Sequence, residues 1–157
     1  MYNLMPLFAG IATTERAQQI VEKVLKNPAG QYTKILFASD SASEQTYGCD
    51  MWRGGTWINY NYLIIEGLRK YGYGVLAAEA RLSSVKEIAR WYQQLGCLFE
   101  YYDSAGETVP SYMPRKGPTT APYDLKRKIY PVRDFGWTAA LYIAMLNDLC
   151  CNYGTLD

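Results

Sequence analysis

Apolar residues recur at steps of three and four in four separate windows of this chain, and that period limits its fold more than any other feature. In "TTERAQQIVEKVLK", Ala17, Ile20, Val21, Val24 and Leu25 share one helical face behind a threonine cap at Thr13 or Thr14, and Asn27-Pro28 with Gly30 ends the segment. "INYNYLIIEGLRKYG" carries Ile58, Tyr62, Ile65 and Leu68 in the same register and stops at Gly72. "GVLAAEARLSSVKEIARWYQQLG" holds Leu76, Ala77, Ala80, Val85, Ile88, Ala89, Trp91, Tyr92 and Leu95, with Ser83-Ser84 as a candidate break and Gly96 as the close. The fourth, "GWTAALYIAMLNDLCC", is apolar nearly all round, which predicts a helix buried on most sides. No strand-like alternation of useful length competes, so the expectation is an all-α chain of about four helices.

Residues 27–57 and 97–134 connect these helices and are rich in Gly, Pro, Ser, Thr and Tyr. Connections that long are uncommon in a compact helical domain unless they carry function on the rim of a rigid scaffold. At 157 residues the default is a single domain, 1–157, with chain enough for a real core.

Several function classes are disfavoured. A net charge of +1, with both signs scattered, leaves no electrostatic footprint for nucleic acid or an anionic membrane. "MYNLMPLFAGIA" is apolar but short and lacks a basic n-region, so it fits neither a signal peptide nor a spanning helix, and a soluble, cytoplasmic protein is the expectation. Cys49, Cys97, Cys150 and Cys151 show no CxxC spacing and read as thiols, mostly core. The chain has no histidine, which removes Ser-His-Asp and Cys-His nucleophiles and every histidine-dependent metal site. No metal and no cofactor is expected. Proton transfer in an enzyme of this composition falls to carboxylates, tyrosines or lysines.

Fifteen tyrosines against four phenylalanines give the chain many rings with a polar tip. Such rings suit a surface that is half dry and half hydrogen-bonding, as a sugar is, although composition alone favours core filler. They concentrate in "GCDMWRGGTWINYNYLIIEGL", where Trp52 and Trp57 flank Arg53-Gly54-Gly55 at the mouth of the second helix. In "CLFEYYDSAGE", Glu100 follows an apolar run and precedes two tyrosines. A carboxylate among rings is partly desolvated, which suits acid or base work; from this stretch alone a surface glutamate beside a turn is slightly preferred.

In order, "MPLFAGIAT", "MWRGGTWINYNYLIIEGLRKYGY", "FEYYDSAGE" and "DFGWTAALYIAML" resemble the C-terminal part of the (α/α)6-barrel glycoside hydrolases of family 63 and the mannosylglycerate hydrolase-like group, with trehalases more distant. The resemblance covers nearly the whole chain and implies a partial (α/α)6 toroid. It implies that Glu100 is the general base of an inverting hydrolysis of α-glucosides, α-mannosides or oligosaccharides. It further implies that Trp52, Arg53, Gly54 and Trp57 line the sugar pocket, that Asn59, Asn61 and Tyr62 form its polar face, and that Tyr101 and Trp137 add walls, with Phe135-Gly136-Trp137 matching the closing motif. Gly55 stands where the family usually has proline, which implies a looser loop.

A full barrel of this type has twelve helices, far more chain than this. The family's general acid is an aspartate upstream of the matched region; Asp40, Asp50, Asp103 and Asp134 are candidate substitutes that no motif separates. The loop from Glu100 to Trp137 is longer than the link in many relatives and has no role beyond lid or subsite wall. Two expectations therefore stand: a C-terminal segment of a glycosidase catalytic domain, or a noncatalytic helical remnant that binds sugar, completes a barrel with another chain, or self-associates.

Overall fold

The computed structural model describes residues 4–26, 37–41, 45–48, 51–115 and 130–153. Among them are five α-helices and no named strand: α1 (Met5–Ala9), α2 (Thr14–Ile20), α3 (Ile58–Lys70), α4 (Gly74–Leu95) and α5 (Gly136–Tyr153). The four expected helices are present, and α1 is an added single turn with Pro6 in its first turn and Gly10, in the left-handed region, as its cap. Thr13 caps α2 by accepting from the Arg16 N–H at 3.3 Å, and a π-helical turn, Val21–Leu25, prolongs it. Asn27, Pro28 and Gly30 lie outside the described residues. α4 runs unbroken through Ser83-Ser84 and stops at Gly96 (φ 70°), so the serine pair is no break.

α3 and α4 are joined only by Tyr71-Gly72-Tyr73, with Gly72 at φ 83°, and so form an antiparallel hairpin. Its inner faces bury Ile58, Ile64, Ile65 and Leu68 against Ala77, Ala80, Val85, Ile88 and Trp91. Tyr92 and Leu95, expected on that face, are exposed, because the last turn of α4, residues 92–95, is exposed all round. Each fully buried Leu or Ile is worth about 1.5–3 kcal/mol. α1 closes the far end of the hairpin, with Leu4 and Leu7 fully buried. Gly67 permits that approach, since a Cβ there would lie 2.7 Å from Phe8 N and 2.8 Å from the Leu7 carbonyl carbon. Arg81, buried on α4, ties the three long helices together through Glu66 of α3 (2.8 Å) and Asp148 of α5 (3.5 Å).

α5 departs from expectation. It packs on α3 and α4 along one side, burying Thr138 and Met145, while Trp137 and Ile143 are 60% and 66% exposed. An all-round apolar helix is thus left with an uncovered face. The cysteines divide similarly: Cys97 is buried, which pushes its thiol above the ordinary range, whereas Cys150 and Cys151 are exposed and Cys49 lies outside the described residues. No helix among the described residues is long and apolar enough to cross a membrane.

The long connections meet at one rim, where α3 and α5 begin and α4 ends. Isolated antiparallel bridges join Ala38 to Thr56, Thr56 to Tyr102, and Phe99 to Arg133. The backbone of Thr56 exchanges both hydrogen bonds with Tyr102 (2.8 and 3.0 Å), and the Thr138 hydroxyl donates to the Phe99 carbonyl at 2.8 Å. These cross-links turn the two connections into a floor on top of the helices. The architecture is that of an all-helical arc with its loops gathered at one end.

Candidate active site

The floor is organised around stacked rings. Trp57, the residue before α3, is 4% exposed and stacks on Trp52, centroids 4.0 Å apart and planes 1° from parallel. Tyr60 meets Trp52 edge-on at 5.4 Å, and Tyr101 continues the stack beneath Trp57 at 5.3 Å. Offset or edge contacts of this kind are each worth about 0.5–1.5 kcal/mol beyond burial. The turn that presents them is tight: Met51 has φ 36°, its carbonyl accepts from Trp57 Nε1 (2.9 Å) and from the Ser39 hydroxyl (3.1 Å), and Ser39 Oγ accepts in turn from the Gly54 N–H (3.0 Å). Gly54 (φ 121°) leaves no space for a side chain beneath Gly48 and Tyr47. A Cβ on Gly55 would stand 2.7 Å from Met51 O and 2.9 Å from the Tyr101 ring, so the loop there is packed rather than loose.

Glu100 lies between Phe99 and Tyr101 on this floor and is 5% exposed. Its Oε2 accepts from Arg115 Nε at 2.8 Å and from the Val132 N–H at 3.1 Å, and its Oε1 accepts from the other arm of Arg115 at 2.9 Å. The pair is a side-on guanidinium–carboxylate fork, the strong form of charge-assisted hydrogen bond. The hydrogen bond that Arg115 donates to Glu100 holds the pKa of its guanidinium above the ordinary value, against the opposing effect of burial. The sequence carries little signal for Arg115, a basic residue after "SYMP" in a long connection. Its neighbours are anchored too, since Met113 is fully buried beside Trp57 and Tyr101, and the Tyr101 hydroxyl donates to the Pro114 carbonyl at 2.6 Å.

The expected pocket residues separate by depth. Trp52 (40% exposed) and Arg53 face outward, whereas Gly54, Trp57 and Tyr101 are buried beneath them. Asn61 is fully buried and its Oδ1 accepts from the Phe37 N–H at 3.3 Å, so it braces the first connection instead of facing solvent. Tyr62 is half-buried against the main core. Asn59 and Trp137 do share a site, lining with Ala140 and Leu141 a recess of about 290 Å³ between α3 and α5. A larger trough of about 540 Å³, lined by Val75, Ala78, Glu79, Leu82, Leu149 and Cys150, lies at the opposite ends of α4 and α5, away from the rings and Glu100.

The candidate acids scatter. Asp40 accepts from the Thr46 hydroxyl (2.6 Å) and the Ser41 N–H (3.0 Å), Asp134 is exposed at φ 53°, and Asp50 lies outside the described residues. Asp103 is buried, which alone would raise its pKa, but N–H groups of Thr108 (2.8 Å), Ala105 (3.1 Å) and Glu107 (3.0 Å) outweigh burial and hold its carboxyl below the ordinary range. A group held ionised in this way is a turn anchor and not a proton donor at neutral pH. Because the folded pKa is depressed, the stability Asp103 contributes is present above the ordinary aspartate value of about 3.9 and is lost as pH falls toward the folded value. Asp103→Asn should cost about 1–3 kcal/mol near neutrality, and thermal melts should show the gap to wild type narrowing below about pH 4.

A helical arc whose loops gather rings and a buried carboxylate at one rim has the architecture of a partial (α/α)6 toroid. Residues 1–138 match the model of the mannosylglycerate hydrolase MGH1-like glycoside hydrolase domain, and the chain belongs to this family. It is 32% identical over 100 residues to mannosylglycerate hydrolase MGH1 of Selaginella moellendorffii, covering 64% of this chain and 19% of that protein. It is also 32% identical over 107 residues to a periplasmic trehalase of Pseudomonas aeruginosa, covering 66% of this chain and 18% of the other. Among solved structures, the family 63 mannosylglycerate hydrolase of Thermus thermophilus in complex with glucose superposes with a TM-score of 0.62 at 25% identity, over 90% of this chain and 28% of that one. The chain thus spans about a fifth of the length of the curated relatives it matches, and its fold is a partial toroid.

Proposed function

We propose that this chain supplies the base side of an inverting glycoside hydrolase site, with Glu100 activating water and Trp52, Arg53, Asn59 and Trp137 contacting the sugar. The observation that carries the reading is a buried carboxylate set directly beside a ring stack whose outermost member, Trp52, offers a face to solvent. In the reaction Glu100 takes a proton from water, the water oxygen bonds to the anomeric carbon on the face opposite the leaving group, and the glycosidic oxygen departs with a proton from a second carboxyl group. That partner would stand about 6.5–9.5 Å from Glu100. Mannosylglycerate and trehalose, for which the matched relatives are named, head the natural panel of α-mannosides and α-glucosides.

Trp57 and Tyr101 serve this site from below by holding Trp52 flat. Trp52→Ala should weaken sugar binding about tenfold with the fold intact, because an exposed ring is lost. Trp57→Ala should instead cost about 3–5 kcal/mol of stability, as large buried aromatics do. Fluorescence titration with sugar, paired with thermal melts, separates the two; equal affinity in wild type and Trp52→Ala would remove Trp52 from the pocket.

A second reading is favoured by the uncovered apolar face of α5 and the trough beside Val75 and Leu82. An exposed surface of that kind calls for a cover, supplied by a chain that extends the toroid or by a second copy. The deciding experiment is hydrolysis of the α-glucoside and α-mannoside panel by the purified chain, with product anomers followed by NMR and size by sedimentation. Turnover with inversion supports the first reading. A folded, inactive chain that sediments as a dimer or larger supports the second.

A further inference from the structure

The chemistry assigned to Glu100 needs a lone pair directed at water, yet a carboxylate offers only about four such sites. At least three are taken here, two by Arg115 and one by the Val132 N–H. Arg115 is not a stray surface side chain, because the two residues before it are docked: Met113 is buried in the ring cluster, and Pro114 is held through its carbonyl by Tyr101. The connection therefore delivers the guanidinium to the buried carboxylate beside the rings. A general base so clamped is both occupied and weakened, since a guanidinium fork stabilises the charged form that would have to accept a proton.

We propose that Arg115 masks Glu100, so that Glu100 acts on water only after the guanidinium has moved off its carboxylate. This inference rests on the reading of Glu100 as the base. Arg115 is then an internal inhibitor of the site that neighbouring rings hold in place, and the step that activates the site is the exchange of an arginine fork for water.

The test reads the carboxylate directly. The purified chain is treated with a water-soluble carbodiimide and an amine, and mass spectrometry compares modification of Glu100 with that of the exposed Glu22. In wild type Glu100 should react at least about tenfold more slowly than Glu22. Arg115→Ala should bring the two within about threefold, and Arg115→Lys, which keeps the charge but loses the fork, should fall between them. Equal rates in wild type, or unchanged protection in Arg115→Ala, would overturn the mask. Should Arg115→Ala fail to fold, Arg115→Gln is judged by the same criterion. In the hydrolysis assay, Arg115→Ala should raise kcat severalfold at near-constant KM; a fall in kcat at constant KM would mean that Arg115 orients Glu100, and would equally overturn the mask. Failure of the base reading shows separately, as turnover that survives Glu100→Gln.

Discussion

Glu100→Gln is expected to lower any hydrolysis by this chain about 10²- to 10⁴-fold, the range that a positioned general base supplies. The amide keeps the shape of the side chain but cannot take a proton from water. The structure adds a second expected effect. Glu100 is buried and paired, so the amide also breaks the fork with Arg115 and leaves a guanidinium facing a neutral group. Removing one partner of a buried ion pair is costly, and a stability loss of about 1–3 kcal/mol should accompany the loss of activity. Melting curves beside initial rates separate the two effects. Activity retained in a folded Glu100→Gln chain would refute the assignment of the base, and a stable but inactive variant would mean that the fork contributes little to the fold.

Gly67→Ala is expected to be the most damaging small substitution in the helical core. Its new methyl group would meet the backbone of Leu7 and Phe8 at 2.7–2.8 Å, and backbone cannot swing aside as a side chain can. α1 must lift from α3, exposing part of Leu4 and Leu7 and straining the hydrogen bonds from Lys70 Nζ to the Phe8 carbonyl and from the Tyr71 hydroxyl to the Ala12 carbonyl, both 2.7 Å. The expected loss is about 3 kcal/mol, the upper part of the range for overpacking. Chemical denaturation should show it as a lower midpoint with an unchanged slope. A loss under about 0.5 kcal/mol, the level of an ordinary surface change, would mean that α1 is not seated on α3 in solution.

Much of the helical frame was legible in advance. Thr13 caps α2, Gly72 and Gly96 follow the ends of α3 and α4, and Ile58, Ile65, Leu68, Ala77, Ala80, Val85, Ile88 and Trp91 all fall in the core. These signals depend on neighbours three or four residues away, and local spacing reports such neighbours well. α5 exposes the limit of the same reasoning. Its composition declares it apolar on every side, but burial depends on what stands opposite each side, and among the described residues it is chiefly α3 and α4 that do.

The candidate site divides in the same way. The rings of Trp52 and Trp57 beside Arg53, and the motif order that points to Glu100, were readable in the chain because they are matters of residue type and succession. Depth was not. Trp57 and Asn61 look like pocket residues in the sequence and are buried, because the Phe37 N–H, 24 positions from Asn61, and the ring of Trp52 close over them. Arg115 could not be paired with Glu100 by spacing, since the fork exists only where bridges between Thr56 and Tyr102 and between Phe99 and Arg133 draw two distant connections into one floor. By itself, then, the sequence determined an all-helical chain and the motif order of its glycoside hydrolase family. Only the tertiary structure decided which rings face solvent and that the carboxylate is held by an arginine, because burial and ion pairing are set by contacts between segments far apart in the chain, which local periodicity does not encode.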